Sequence, residues 1–205
     1  MMLRQTLREL KEHAPFTLLG GLTGIVLMVA LVLFKVKPDT VKPVFESFHS
    51  LHVLLSAVVT AAMYRRYSRN LVAGVLIGYT GSVGIGTLSD IIFPYLGGSL
   101  VGAHMHLHLA FIEHWWLINP VALLGVAIGM ARPATKVPHS GHVLLSTWAS
   151  LFYLTAHGEA DWLHPVLLPL VLVVLFVAVW VPCCASDIVY PLLFVGKPGA
   201  GHEDH

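Results

Sequence analysis

Histidine and aspartate recur along this chain at spacings that suit a metal ion or a proton. His49-Ser50-Leu51-His52-Val53-Leu54-Leu55-Ser56 returns as His139-Ser140-Gly141-His142-Val143-Leu144-Leu145-Ser146, identical at seven of eight positions. Each copy is followed by a second shared string, Ser89-Asp90-Ile91-Ile92-Phe93-Pro94 and then Ser186-Asp187-Ile188-Val189-Tyr190-Pro191. Such an internal repeat governs how the rest of the chain is read. On a helix, His49, His52 and Ser56 at i, i+3 and i+7 form one stripe, which Glu46 extends by a turn. The second copy aligns His139, His142 and Ser146 but carries Lys136 in place of Glu46, so the two sites differ in charge.

Neutral imidazoles with a carboxylate suit Zn, Ni, Co, Mn or Fe, whereas all-oxygen sets suit Mg or Ca. Two histidines on adjacent turns plus an aspartate from a neighbouring helix supply three ligands and leave a fourth position for water or a passing ligand. The sequence therefore predicts a divalent transition metal, Zn favoured, at duplicated sites. The first is built from Glu46, His49, His52 and Asp90, the second from His139, His142 and Asp187. A plainer alternative is that these groups only hydrogen-bond to one another and glue helices together. The duplication and the cost of ionisable groups inside a membrane span weigh against it. Pro94 and Pro191 have no N–H to offer the carbonyls of Asp90 and Asp187. Each string thus predicts a broken helix with a carboxylate beside an unpaired backbone oxygen, an arrangement membranes tolerate where protein or a polar cavity lines it.

A second cluster lies between the repeats: His104-Met105-His106-Leu107-His108, then Glu113, His114, Trp115 and Trp116. On a helix His104 and His108 share a face, while on an extended segment all three histidines point one way. The tryptophans fit an interfacial aromatic belt. The segment reads either as a metal-collecting loop that feeds Glu46 and His49, or as an interfacial helix with its histidines in water. The turn with His157, Glu159, Asp161 and His164 is a candidate to join it, whereas the terminal His202-Glu203-Asp204-His205 reads as a solvated end.

The elements that must position these residues are apolar. Hydrophobic residues make up 56% and charged residues 11% of the 205, with a mean hydropathy of +0.77; a soluble domain carries roughly a quarter charged residues. The expected fold class is all-α, a polytopic membrane protein with about six transmembrane helices in two inverted three-helix repeats. The spans fall near 16–36, 45–64, 71–93, 115–131, 141–157 and 164–194. The expected organisation is an amphipathic lead-in (1–15), a first membrane repeat (16–98), a His-rich interfacial segment (99–116), a second repeat (117–195) and a tail (196–205). With the N-terminus inside, the inner segments hold Arg4, Arg8, Lys11, Arg65, Arg66, Arg69, Arg132, Lys136 and Lys197, against Lys35, Lys37 and Lys42 outside. That bias predicts a plasma (inner) membrane protein with both termini cytoplasmic.

A net charge of +1 provides no field for nucleic acid. The expected partners are the metal ion, protons and the lipid bilayer, with a homo-oligomer or membership of a membrane complex also compatible. The two cysteines, Cys183 and Cys184, are adjacent within an apolar run, which excludes a disulfide framework. Cys183 is a soft-ligand candidate beside Asp187, although buried thiols are more often inert. Gly78, Gly81, Gly84 and Gly86 predict close helix approach in the third span, and Arg65, Arg66 and Arg69 read as anchors at the inner interface. Three functions compete. A metal-ion transporter accounts for both copies of the site. An intramembrane metal-dependent hydrolase needs only one. A haem-binding electron-transfer subunit would need axial histidines from different helices.

Overall fold

The computed structural model describes residues 2–132, 136–184 and 189–195, with side chains placed for 11, 14–132, 141–183 and 189–195. The expected all-α class is borne out. The helices are α1 (Met2–Leu33), α2 (Pro38–Tyr67), α3 (Leu71–Thr87), a π-turn (Leu88–Ile92), α4 (Phe93–Leu100), α5 (Ala110–Glu113), α6 (Trp115–Ala131), α7 (Lys136–His157), α8 (Leu167–Cys184) and α9 (Tyr190–Leu193). Among the described residues the only strands are β1 (His104–Met105) and β2 (Gly158–Glu159), an antiparallel pair that ties the His-rich loop to the end of α7.

Three stretches, Ala14–Leu33, Pro38–Tyr67 and Leu71–Leu100, are long and apolar enough to cross a membrane, and α6 and α8 are shorter apolar helices. Val26, Phe34, Val72, Leu100 and Val173 are each more than half exposed, so the outer wall of the bundle is apolar.

The helix boundaries differ from the sequence reading where polar residues interrupt apolar runs. α2 starts at Pro38 instead of near 45, because Pro38 opens the first turn after the extended Lys37 and Asp39 follows it. Proline's fixed φ suits that position, and an early acid suits the helix dipole. His52 therefore lies at the middle of α2 instead of near its start. The third apolar run continues past 93 to Leu100. In the sixth, α8 ends at Cys184 and α9 resumes at Tyr190; Asp187 lies outside the described residues, as do the side chains of Lys136 and His139 and the whole tail 196–205.

α2 is the central element, packed against α3, α6 and α7, with α1 lying on α7 and α8. Its tightest neighbour is α6, where a Cβ on Gly125 or Gly129 would run into the carbonyl oxygens of Leu54 and Val58. Gly78, Gly81 and Gly86 make the close contacts expected of them, against Ala61, Thr60 and Val53, whereas Gly84 faces open space. Phe45, Val53, Ile91, Ile118, Leu151, Tyr153 and Leu154 are fully buried between these helices.

Candidate metal centre

The Asp90 string does not break its helix. The Phe93 N–H donates to the carbonyl of Leu88, five residues back, so the chain widens into one π-turn and α4 continues through Pro94. This corrects the expected broken helix: a missing proline N–H is absorbed by a change of hydrogen-bond register. The loosened backbone is held from α7, where Ser150 Oγ donates to the Ser89 carbonyl at 3.0 Å.

Asp90, on that π-turn, is completely buried and accepts from both repeated histidines of α2. His49 Nδ1 lies 2.8 Å and His52 Nδ1 2.7 Å from Asp90 Oδ2. Its other oxygen, Oδ1, accepts from Ser89 Oγ at 2.7 Å and from Ser146 Oγ of α7 at 2.6 Å. Both oxygens of a buried carboxylate are thus satisfied by groups from three elements, as burial of a charge requires. One ligand atom from each of His49, His52 and Asp90 falls within 4.8 Å of the others. A cation there would replace the imidazole N–H groups at Asp90 Oδ2, while the serine hydroxyls on Oδ1 orient the carboxylate from behind. His49 Nε2 is buried without a hydrogen-bond partner. His52 presents its Nε2 to Cys183 Sγ at 3.9 Å. His142, buried on α7, stacks on His52 with ring centroids 5.8 Å apart.

The expected outer site divides into two. Glu46 does not join the Asp90 cluster; its Oε1 lies 2.6 Å from His108 Nε2 and 3.0 Å from His114 Nδ1. His108 Nδ1 in turn lies 2.9 Å from Glu113 Oε2. The loop is bent to this shape by α7: Tyr153 OH donates to the His106 carbonyl at 3.1 Å and accepts the His108 N–H at 3.2 Å, and the His106 N–H donates to the His157 carbonyl at 2.8 Å. His157 stacks on His108 at 4.6 Å, nearly parallel. Burial pulls the His108 imidazole down, but its bonds to Glu46 and Glu113 outweigh this and hold it above the usual histidine value. Burial opposes ionisation of Glu113 as well, yet the Leu109 N–H and His108 hold its carboxyl below the usual range. Between the two clusters sits the fully buried ring of Phe45, stacked on His49 at 5.5 Å and edge-on to His108 at 6.0 Å.

No family model, curated protein or solved structure matches this chain. The geometry alone must therefore carry the functional reading.

The structure brings His49, His52 and Asp90 together in one place and Glu46, His108, Glu113 and His114 in another. His104 and His106 belong to neither; they are exposed and stack on each other at 5.2 Å. His157 joins the second cluster, whereas Glu159, Asp161 and His164 are exposed. Ser146 was legible as part of the repeated stripe, but its reach to Asp90 of the other half was not. Ser150 and Tyr153 were missed altogether, although they continue the spacing of His142 and Ser146 down one face of α7 to His157.

Proposed function

We propose that this chain is an integral membrane protein that carries a divalent transition metal ion of the Zn2+ class across the bilayer by way of His49, His52 and Asp90. The observation that carries this reading is a His-His-Asp set buried at the middle of α2, a helix long and apolar enough to cross a membrane. From Lys42 to Arg65 the helix covers about 35 Å, and His52 lies about 15 Å from the first and about 20 Å from the second. In a hydrocarbon core of ~30 Å such a site is near the midplane, where transporter sites are commonly built. A carboxylate and imidazoles at that depth are costly and call for a function. Two polar stripes support a path: Glu46, His49, His52, Ser56 and Thr60 along α2 and His142, Ser146, Ser150 and Tyr153 along α7 are partly or wholly buried in the bundle.

In this reading six crossings form two inverted three-helix repeats, both termini are cytoplasmic in the inner membrane, and His142 of the second repeat adjoins the central site through His52. Proton exchange through the imidazoles compensates the charge moved. The test is Zn2+ uptake into proteoliposomes holding the purified chain and an internal fluorescent indicator. Saturable uptake that is lost in His52→Ala and in Asp90→Asn supports transport. Uptake equal to wild type in both variants would overturn it.

A further inference from the structure

The second cluster stands apart from the central one and does not need it. Glu46, His108 and His114 each offer a ligand atom within 4.8 Å of the others. They line an open cleft of about 340 Å³ at the end of the bundle where α2 begins, with Glu113 and His157 on its wall. Three of the side chains lining it carry a buried polar atom without a hydrogen bond: Glu46 Oε2, His114 Nδ1 and His157 Nε2. The His114 nitrogen lies 3.0 Å from Glu46 Oε1, but the approach is not that of a hydrogen bond. Glu46 is nine-tenths buried, so an unanswered oxygen there is expensive. Lys42, the nearby cation on the cleft wall, is engaged at 2.8 Å by Asp39. Glu113 holds His108 by Nδ1, which directs Nε2 toward Glu46, the arrangement in which a carboxylate orients a ligating imidazole.

We propose that Glu46, His108 and His114 form a second binding site, reachable from solvent, for a borderline divalent cation of the Zn2+ or Co2+ class, with Glu113 as the residue that positions His108. Two imidazoles and one carboxylate favour such ions over Mg2+ or Ca2+, and three protein ligands leave a fourth position for water. Phe45 separates the site from Asp90, so binding here goes beyond the transport reading and does not depend on it.

The experiment is a titration of the purified full-length chain with Co2+, read by its visible ligand-field bands and by calorimetry, with folding checked by circular dichroism. The wild type is expected to show two saturable classes. His114→Ala and Glu46→Gln should each remove one class. Asp90→Asn should remove the other and leave this one. Glu113→Gln, at a side chain 53% exposed, should weaken the cleft class about ten-fold. His104→Ala and His106→Ala should change neither. Binding that survives both His114→Ala and Glu46→Gln, or that His104→Ala or His106→Ala abolishes, overturns the proposal; a cleft holding only water shows no such class and overturns it too. A cleft class that persists in Asp90→Asn while uptake is unaffected sinks the transport reading alone.

Discussion

The two His-carboxylate clusters on α2 use the same residue types, yet one is closed and the other receptive. At Asp90 both oxygens are engaged, by His49, His52, Ser89 and Ser146, and nothing in the set reaches solvent. At Glu46 one oxygen is hydrogen-bonded to His108 while the other has no partner, and the cleft is open. The difference teaches that one donor chemistry can be held in two states, one whose internal bonds an ion must displace and one that keeps an oxygen in reserve. At Asp90 a cation must displace imidazole contacts that also hold α2 in place, whereas the half-satisfied Glu46 has an oxygen to offer without losing such a contact. The sharpest way to break the comparison is Asp90→Ala, which leaves four donors facing an apolar gap. Removing one partner of a buried ionic set costs about 3–5 kcal/mol, so thermal unfolding in detergent should fall steeply. An unfolding temperature equal to wild type would show that the Asp90 network is not an anchor.

Uptake kinetics separate the clusters by role. Removal of a central ligand, His49→Ala or His52→Ala, should lower the maximal Zn2+ uptake rate at least ~10-fold, the scale of losing an ordering contact at a metal. His114→Ala should instead raise the half-saturating concentration and leave the maximal rate near wild type. The same kinetic signature in all three variants would merge the clusters into one functional unit. Ser146→Ala is a smaller perturbation. It removes one hydroxyl from Asp90 Oδ1 and should cost about 1 kcal/mol in unfolding, with central Co2+ affinity about ten-fold weaker.

What was legible in the sequence was the part that rests on local spacing. His49 and His52 on one helical face, and Asp90 set in an apolar string, pointed to the three groups of the central cluster because periodicity places side chains without knowledge of the fold. The partition of Glu46 away from them was not legible. Glu46 and His49 are three residues apart and share a stripe, but a 45-to-49 aromatic step lets Phe45 close over His49 while Glu46 turns to the loop. Likewise, the inward turn of His108 depends on Tyr153, 45 residues later, taking its N–H. No local rule contains a hydrogen bond of that separation. The π-turn was half legible: Pro94 announced an irregularity at Asp90, but not that the helix would widen and continue, nor that Ser150, 61 residues from Ser89, would bond its carbonyl.

The smallest expected effect concerns the receptive cluster and pH. His108 is held above the ordinary imidazole value by Glu46 and Glu113, so its pairing stabilises fully below about pH 6.5 and the contribution fades as pH rises through the raised folded value. Glu113 is held below its ordinary value, so its contribution is present above about pH 4.3 and fades as pH falls through the lowered folded value. The pair therefore contributes most between these limits. Because the Glu113 side chain is 53% exposed, solvent screening keeps that contribution to about 0.5 kcal/mol. In chelator-treated protein, the unfolding temperature of Glu113→Gln should lie slightly below wild type near pH 6 and converge with it toward pH 9. A gap that widens as pH rises would mean that Glu113 acts on something other than the His108 proton, and the contrast with the closed Asp90 cluster would need a different physical basis.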